Sequence, residues 1–338
     1  MKAVMVNKPF EIEIVEMEKP KIEKDTEVLI KVKAAGICGS DVHIYHGTNA
    51  VATYPRVMGH EIVGVVEEVG EKVTKVKEGD RVIIDQVINC GECYACKIGR
   101  GNVCSNLKVR GVHVHGGYRE YITAVQDDCY ILPEDLSYED AVMIEPATIS
   151  AQCLSRAEVT EDDTVLILGA GALGTSILKI ARLTGAKIIV ADIFDEKLTE
   201  AKELGAHYTV NISKGDPISE IKKLTDGYGP TVSIDAACTK ETLPLLLDVT
   251  GNAGRVITMG FSEELSSVTQ LKITAKELDV RGSRLQNKKF QSILDLVKDK
   301  KLDLKGSVSH TFNFLELQKA LDLIDKKDPT VRKIVLTF

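Results

Sequence analysis

Four cysteines, Cys90, Cys93, Cys96 and Cys104, lie in the stretch NCGECYACKIGRGNVC, separated by two, two and seven residues. Loops this short can wrap four thiolates around one tetrahedral zinc, and four protein ligands leave no open position for a substrate. The run therefore predicts a structural metal site, with the chemistry carried elsewhere. Further metal-ligand types are dispersed: Cys38 in AAGICGSDVH follows one strand-like run, and His60-Glu61 in VMGHEIVG opens another. Sequence alone does not show that they meet. A third feature, Gly169-Ala170-Gly171-Ala172-Leu173-Gly174, fits GxGxxG; it follows the apolar run VLIL and leads into LGTSILKIARL. Glycine there allows a tight turn, close backbone approach to a pyrophosphate and packing of helix on strand, while the helix N-terminus supplies free amides. Gly169, Gly171, Leu173 and Gly174 are the expected cofactor contacts. The next strand ends at Asp192, roughly twenty residues on, where a carboxylate holds a ribose hydroxyl and repels a 2′-phosphate. NAD is expected over NADP, with Lys197, a helical turn further, a second candidate for the ribose.

The elements that must position these residues change character along the chain. Val28 to Ala35, Ile62 to Val69 and Arg81 to Ile84 alternate or cluster β-branched residues between glycine-bearing turns, which predicts a β-rich first domain. From Thr164 onward short apolar strands alternate with helices: VLIL, a helix through Lys179, KIIVA, a helix through Leu204, and Tyr208 to Asn211. VSIDA, RVITMG and LDVRG continue the series. Strict alternation predicts a parallel sheet covered on both faces. Asn287 to Asp299 has helical spacing, and a strand, a helix at Leu315 to Asp325 and the strand IVLTF follow. The tail is expected to close back on the first domain.

The chain has 338 residues, 44% apolar and 28% charged, enough for two domains with ordinary cores. A net charge of -7 and the lack of a long basic block point away from nucleic acid or an anionic membrane surface and toward a small molecule. The N-terminal MKAVMVNKPFEIEIVE alternates apolar and charged residues and reads as a strand rather than a signal peptide; no apolar run has membrane-spanning length. A cytoplasmic protein is expected, with Cys38, Cys129, Cys153 and Cys238 reduced.

GICGSDVHIYHG, VMGHEIVGVVEEVG, the four-cysteine lobe, GGYREY, the glutamate of MIEPATIS and GAGALG stand in an order that resembles the zinc-dependent medium-chain dehydrogenases over essentially the whole length. The resemblance implies an α/β architecture: a GroES-like β-rich catalytic domain (1–150 and 287–338, with the zinc lobe at about 88–106) interrupted by a Rossmann-type, doubly wound parallel-sheet NAD-binding domain (151–286). It implies two zinc ions per subunit. Cys38 and His60 would bind the catalytic zinc, with Glu145 at the third ligand position and Glu61 approaching the metal or exchanging with its water. Glutamate at that third position resembles the polyol branch, where alcohol dehydrogenases proper usually carry cysteine. Such a zinc is a Lewis acid that lowers the pKa of a bound alcohol so that its carbon can release hydride to the nicotinamide. Only one carboxylate is expected on the metal during turnover, because two would weaken its acidity.

The resemblance also places Ser40 beside the reacting oxygen and His43 on the proton's way out. Tyr45, His46, His113 and His115 are softer candidates for the substrate wall. Arg284 aligns with a substrate-proximal arginine of polyol dehydrogenases, but Leu285 stands where those carry tyrosine. Arg110 and Arg284 together suggest a carboxylated sugar held by guanidinium pairing. The expected substrate is thus a sugar acid or polyol; the alternative is a simple secondary alcohol, a butanediol or threonine. A zinc-ribbon interaction module and a family member without catalysis are further readings, and a homodimer or homotetramer is expected by resemblance.

Overall fold

The computed structural model describes residues 1–328 and 330–338. Two compact units divide the chain: Met1–Pro146 with Phe290–Phe338, and Ala147–Lys289.

The largest sheet of the first unit has seven strands. Six run in the order Cys129–Ile131, Arg81–Ile84, Glu61–Val69, Glu27–Gly36, Ile334–Thr337 and His310–Asn313, and Tyr121–Val125 also pairs with Glu27–Gly36. Side chains two apart share a strand face, so Val28, Ile30 and Val32 line up with Ile62, Val66, Val82, Ile84 and Ile122 in one buried core. The C-terminal strand Ile334–Thr337 pairs antiparallel with Glu27–Gly36, which returns the tail to the first unit.

Register then sets the site. Gly36 stands opposite Glu61 on one side and Val335 on the other, and Ile62 stands opposite Ile84. Two residues beyond these pairings, Cys38 comes level with Lys333 and His60 with Gln86. Four chain segments thereby deliver their side chains to one end of the sheet.

The N-terminal stretch, expected as one strand, is a hairpin. Lys2–Lys8 pairs antiparallel with Glu11–Glu16, and the break falls at Pro9-Phe10. Proline has no N–H for a ladder, and Phe10 takes φ 63, outside strand geometry. Alternating polarity holds in both arms, which is why the pattern looked continuous.

The second unit holds a six-stranded, wholly parallel sheet in the order Tyr208–Asn211, Lys187–Asp192, Thr164–Leu168, Val232–Asp235, Arg255–Thr258 and Asp279–Gly282. Its inner strands are buried nearly throughout, as unbroken apolar runs such as KIIVA require. Chain order reverses on either side of Thr164–Leu168. The carboxyl end of that strand is therefore the switch point where ligands bind in such sheets.

Candidate active site

At the end of the first unit's sheet, the ligand atoms of Cys38, His60 and Glu61 all lie within 4.8 Å of one another. Cys38 caps the helix Gly39–Tyr45, His60 and Glu61 are buried at the start of their strand, and the spacing suits one ion. Gly36 makes room for this arrangement, since a Cβ there would overlap the Glu61 carboxylate. The donor set is one thiol, one imidazole and one carboxylate, the last two on buried residues, a chemistry that suits a zinc ion.

Asp41 organises the histidine. It accepts from the amides of Cys38 (3.0 Å) and Gly59 (3.2 Å) and from the Tyr118 hydroxyl (3.1 Å). Its Oδ1 lies 3.5 Å from His60 Nδ1, which leaves Nε2 facing the Ser40 hydroxyl at the same distance. A carboxylate behind a ligating histidine fixes ring orientation and raises basicity. Burial alone would depress His60, but the Asp41 charge and hydrogen bond lift its pKa well above the usual histidine range. Burial would likewise raise the Cys38 thiol; hydrogen bonding and charge from His60 overcome it and hold the thiol below its ordinary value. The lowered thiol pKa favours the thiolate, the form of Cys38 that binds a metal.

Lys333 is the fourth contributor. Its Nζ lies 2.5 Å from both oxygens of Glu61, with both groups buried, and the carboxylate's charge raises the lysine against the effect of burial. Glu145 is buried in the first turn of the helix Ile144–Ala157, but it is not one of the three residues whose donor atoms converge. Its Oε1 accepts from Gln86 Nε2 at 2.5 Å. Burial, and then the charge of Glu61, push its pKa well above the usual carboxylate range.

Ser40 and His43 lie three residues apart on one short helix and so share a face. His43 is exposed, and its Nδ1 meets Thr48 Oγ1 at 2.9 Å. Of the softer candidates, His46 pairs with Asp325 and Tyr45 with Gln318, while His113 and His115 accept backbone amides from Val109 and Val57.

The substrate role expected of Arg110 does not stand. Its buried guanidinium donates to the Asp85 carbonyl and to the Asp128 carboxylate, both at 2.9 Å, so its charge is already matched within the fold. Nothing local in the sequence announces Asp128 as its partner. Arg284, in the second unit, lies over the Phe261 ring at 4.7 Å, and burial lowers its pKa.

In the second unit the glycine-rich turn follows Thr164–Leu168 and leads into the helix Ala172–Ala181. Gly169 takes φ +105, and a Cβ there would press on Ala237 N at 2.8 Å. A Cβ on Gly174 would overlap the Gly169 carbonyl, whereas one on Gly171 would meet nothing within 4 Å. No protein atom demands glycine at 171. The space it leaves lies at an N-terminus whose capping residue offers no side-chain acceptor, with Leu173 half-buried in the first turn, a fit for an anionic pyrophosphate. Asp192 is buried and accepts from the amides of Ala170 (2.6 Å), Ile193 (2.8 Å) and Phe194 (3.1 Å), which anchors its carboxylate beside the turn. Lys197 is exposed, 5.1 Å over the Phe194 ring.

The sulfurs of Cys90, Cys93, Cys96 and Cys104 converge within 4.8 Å, and none is in a disulfide. The Ser105 amide donates to Cys93 Sγ over 3.5 Å and draws that thiol down to about 6, favouring the form that binds metal. Cys104→Ser should remove one zinc per chain, read by metal analysis. It should also lower Tm by roughly 5–10 °C, since each kcal/mol lost moves Tm by about 2–4 °C at this size. Full zinc content in that variant would refute the assignment.

Residues 24–134 match the family described as the alcohol dehydrogenase GroES-like domain, and residues 172–299 match the zinc-binding dehydrogenase family. The chain is 43% identical over 341 residues to the starvation-sensing protein RspB of Escherichia coli strain K12, covering 100% of this chain and 99% of that one. It is 32% identical over 297 residues to the L-idonate 5-dehydrogenase of Vitis vinifera, covering 85% and 81%. A crystal structure of a short chain alcohol dehydrogenase (rspB) from Escherichia coli CFT073, complexed with cofactor NADH, is similar with a TM-score of 0.94. It shares 41% identity and covers 100% of this chain and 99% of that one.

Proposed function

This chain belongs to the zinc-dependent medium-chain alcohol dehydrogenases, which act on CH–OH donors with NAD, and we propose that it oxidises a secondary alcohol of a sugar acid or polyol to the ketone. The observation that carries the proposal is the convergence of Cys38, His60 and Glu61, with Lys333 against the carboxylate. When bound, the cofactors supply a Lewis acid for the substrate hydroxyl and an acceptor for the hydride.

Around them the chain's own residues have separable tasks. Cys38, His60 and Glu61 hold the catalytic zinc, and Cys90, Cys93, Cys96 and Cys104 the structural one. Asp41 keeps the His60 ring turned, and Lys333 offsets the Glu61 charge, so the metal set is less negative than its ligands alone would make it. Ser40 takes the hydroxyl proton and His43, at the exposed end of the same helix face, releases it to solvent. Gly171 and the helix start receive the pyrophosphate of NAD, with Asp192 turned to the ribose.

The sugar-acid reading rests on Arg284, now without Arg110, and on the likeness to an L-idonate dehydrogenase. A panel of aldonates, matching neutral polyols and simple secondary alcohols, followed by NADH absorbance, tests it. Aldonates should be preferred, and Arg284→Ala should raise KM for acids about tenfold, the loss of one charged pairing of roughly 1.5–3 kcal/mol partly replaced by water. Equal use of acids and neutral polyols would reject the sugar-acid assignment. A cytoplasmic homodimer or homotetramer belongs to the same proposal; the strand Asp279–Gly282 at the sheet edge, with exposed residues, is a surface on which copies can pair. No helix among the described residues is long and apolar enough to cross a membrane.

A further inference from the structure

We infer that Arg119 and His115, flanked by Arg56, form an anion-binding site in the first unit that holds a phosphate or carboxylate group at the far end of the substrate. The inference rests on the function proposed above and deepens it, because it names the first-unit residues that read the substrate's charge now that Arg110 is committed to Asp128.

Hydrogen bonds gather the three side chains. Residues 115–118 lie along the segment that leads to His60: the amides of Gly116, Gly117 and Tyr118 donate to the carbonyls of Val57 (2.7 Å), Gly59 (2.9 Å) and Met58 (3.0 Å). The His115 ring accepts the Val57 amide at Nδ1 (3.1 Å), and Arg56 is the residue before Val57 on the same short strand. Arg119 Nε donates at 3.0 Å to the carbonyl of Gly116, the neighbour of His115, and the Arg119 backbone is pinned by pairing with Ala3. Arg56 turns back on Thr53, donating to its carbonyl and its hydroxyl.

What the cluster lacks is an acid. Among the described residues no carboxylate pairs with Arg56, His115 or Arg119. Burial, with the charge of Arg110 adding to it, lowers Arg119 to about 10, and yet the residue keeps part of its surface exposed. A group so placed lies in a recess that solvent still enters. Taking a guanidinium that far from water without an anion costs stability; the buried Arg110, by contrast, is matched by Asp128. Burial, and then the charges of Arg119 and Arg56, lower the His115 pKa and keep its ring neutral. With Nδ1 accepting, the ring proton sits on Nε2 as a further donor. The recess therefore presents the terminal nitrogens of Arg119 and His115 Nε2, donors without an acceptor, and a phosphate or carboxylate supplies both the oxygens and the charge. Val57 stands three residues before His60, so no more than about 11 Å of chain separates the site from a metal ligand, within reach of an extended sugar chain.

The test uses the full chain, with the dinucleotide turn filled by saturating NAD. Inorganic phosphate should then raise the Tm of wild type and inhibit it competitively against an anionic substrate. Arg119→Gln, which keeps an amide donor for the Gly116 carbonyl but removes the charge, should abolish the Tm shift. The same variant should be compared with wild type on an aldonate, a polyol phosphate and the matching neutral polyol. The ratio of kcat/KM for the preferred anion over the neutral polyol should fall about tenfold, chiefly through KM. The anion whose advantage is lost, aldonate or phosphate, is the group the site takes. Arg119→Lys should restore part of that advantage, since it returns the charge without the planar fork. If Arg119→Gln folds poorly, the lysine variant and the inhibition of wild type by phosphate still decide. Equal losses on anionic and neutral substrates, or wild type indifferent to phosphate, would overturn the inference. Wild type that oxidises nothing in the panel would overturn the proposed function instead, and a phosphate-dependent Tm shift lost in Arg119→Gln would leave the anion site standing.

Discussion

His60→Ala should leave a protein that carries one zinc per chain instead of two and forms NADH from no alcohol, a fall in kcat/KM of roughly 10³-fold or more. The size follows from losing Lewis-acid assistance worth several kcal/mol, when each 1.4 kcal/mol is tenfold in rate. Of the three converging donors, His60 is the one oriented by a dedicated carboxylate, and its loss leaves Cys38 and Glu61 alone to hold the ion. Some destabilisation should accompany it, since buried Asp41 loses the imidazole packed against its carboxylate. Asp41 keeps three donors, from Cys38, Gly59 and Tyr118, so the fold should survive at moderate temperature. Metal analysis separates the two effects: the four-cysteine zinc stays while the other goes. Retention of both zinc ions together with activity would remove the basis of the enzymatic mechanism.

The two glycines of the turn should respond in opposite ways to alanine. Helix propensity favours alanine at Gly174 by about 0.5–1 kcal/mol. The added Cβ would overlap the Gly169 carbonyl, and overpacking of that kind costs about 1–3 kcal/mol, so the net effect is destabilising. Gly174→Ala should therefore lower Tm and impair NAD binding together. At Gly171 the Cβ meets no protein atom within 4 Å and φ is -74, so alanine is sterically and conformationally tolerated. Replacing glycine by alanine at the N-cap costs only modest helix stability. Gly171→Ala should keep Tm nearly unchanged yet raise KM for NAD about tenfold, roughly 1.4 kcal/mol of lost backbone approach. An unchanged KM for NAD in Gly171→Ala would show that the pyrophosphate lies elsewhere.

Features encoded over short spans were legible in advance. The parallel sheet is written as apolar runs alternating with helices, and the four-cysteine cluster is set by loops too short to hold the thiols far apart. Where the reading went wrong, a partner distant in sequence intervened. Arg110 is answered by Asp128 from another strand end, and the N-terminal alternation is cut by Pro9 and Phe10 without altering the polarity of either arm. Asp41 and Tyr118 stood inside motifs already quoted, GSDVH and GGYREY, and their acidic and hydroxyl groups beside a ligand and a double glycine were the signal that could have found them. Gln86 and Lys333 had no such signal, one lying just past an ordinary strand and the other just before the last.

Residue types and local spacing by themselves determined that this chain carries a four-thiolate staple, a turn for a dinucleotide and the ingredients of a second metal centre. Tertiary structure alone decided which ingredients meet. Antiparallel register across the strands ending at Gly36, starting at Glu61, ending at Ile84 and starting at Ile334 brings Cys38, His60, Glu61, Gln86 and Lys333 to one edge. A shift of one residue in any of those pairings would turn the side chains to the opposite face, so the centre exists because the buried core around Val28, Ile30 and Ile62 permits only one register.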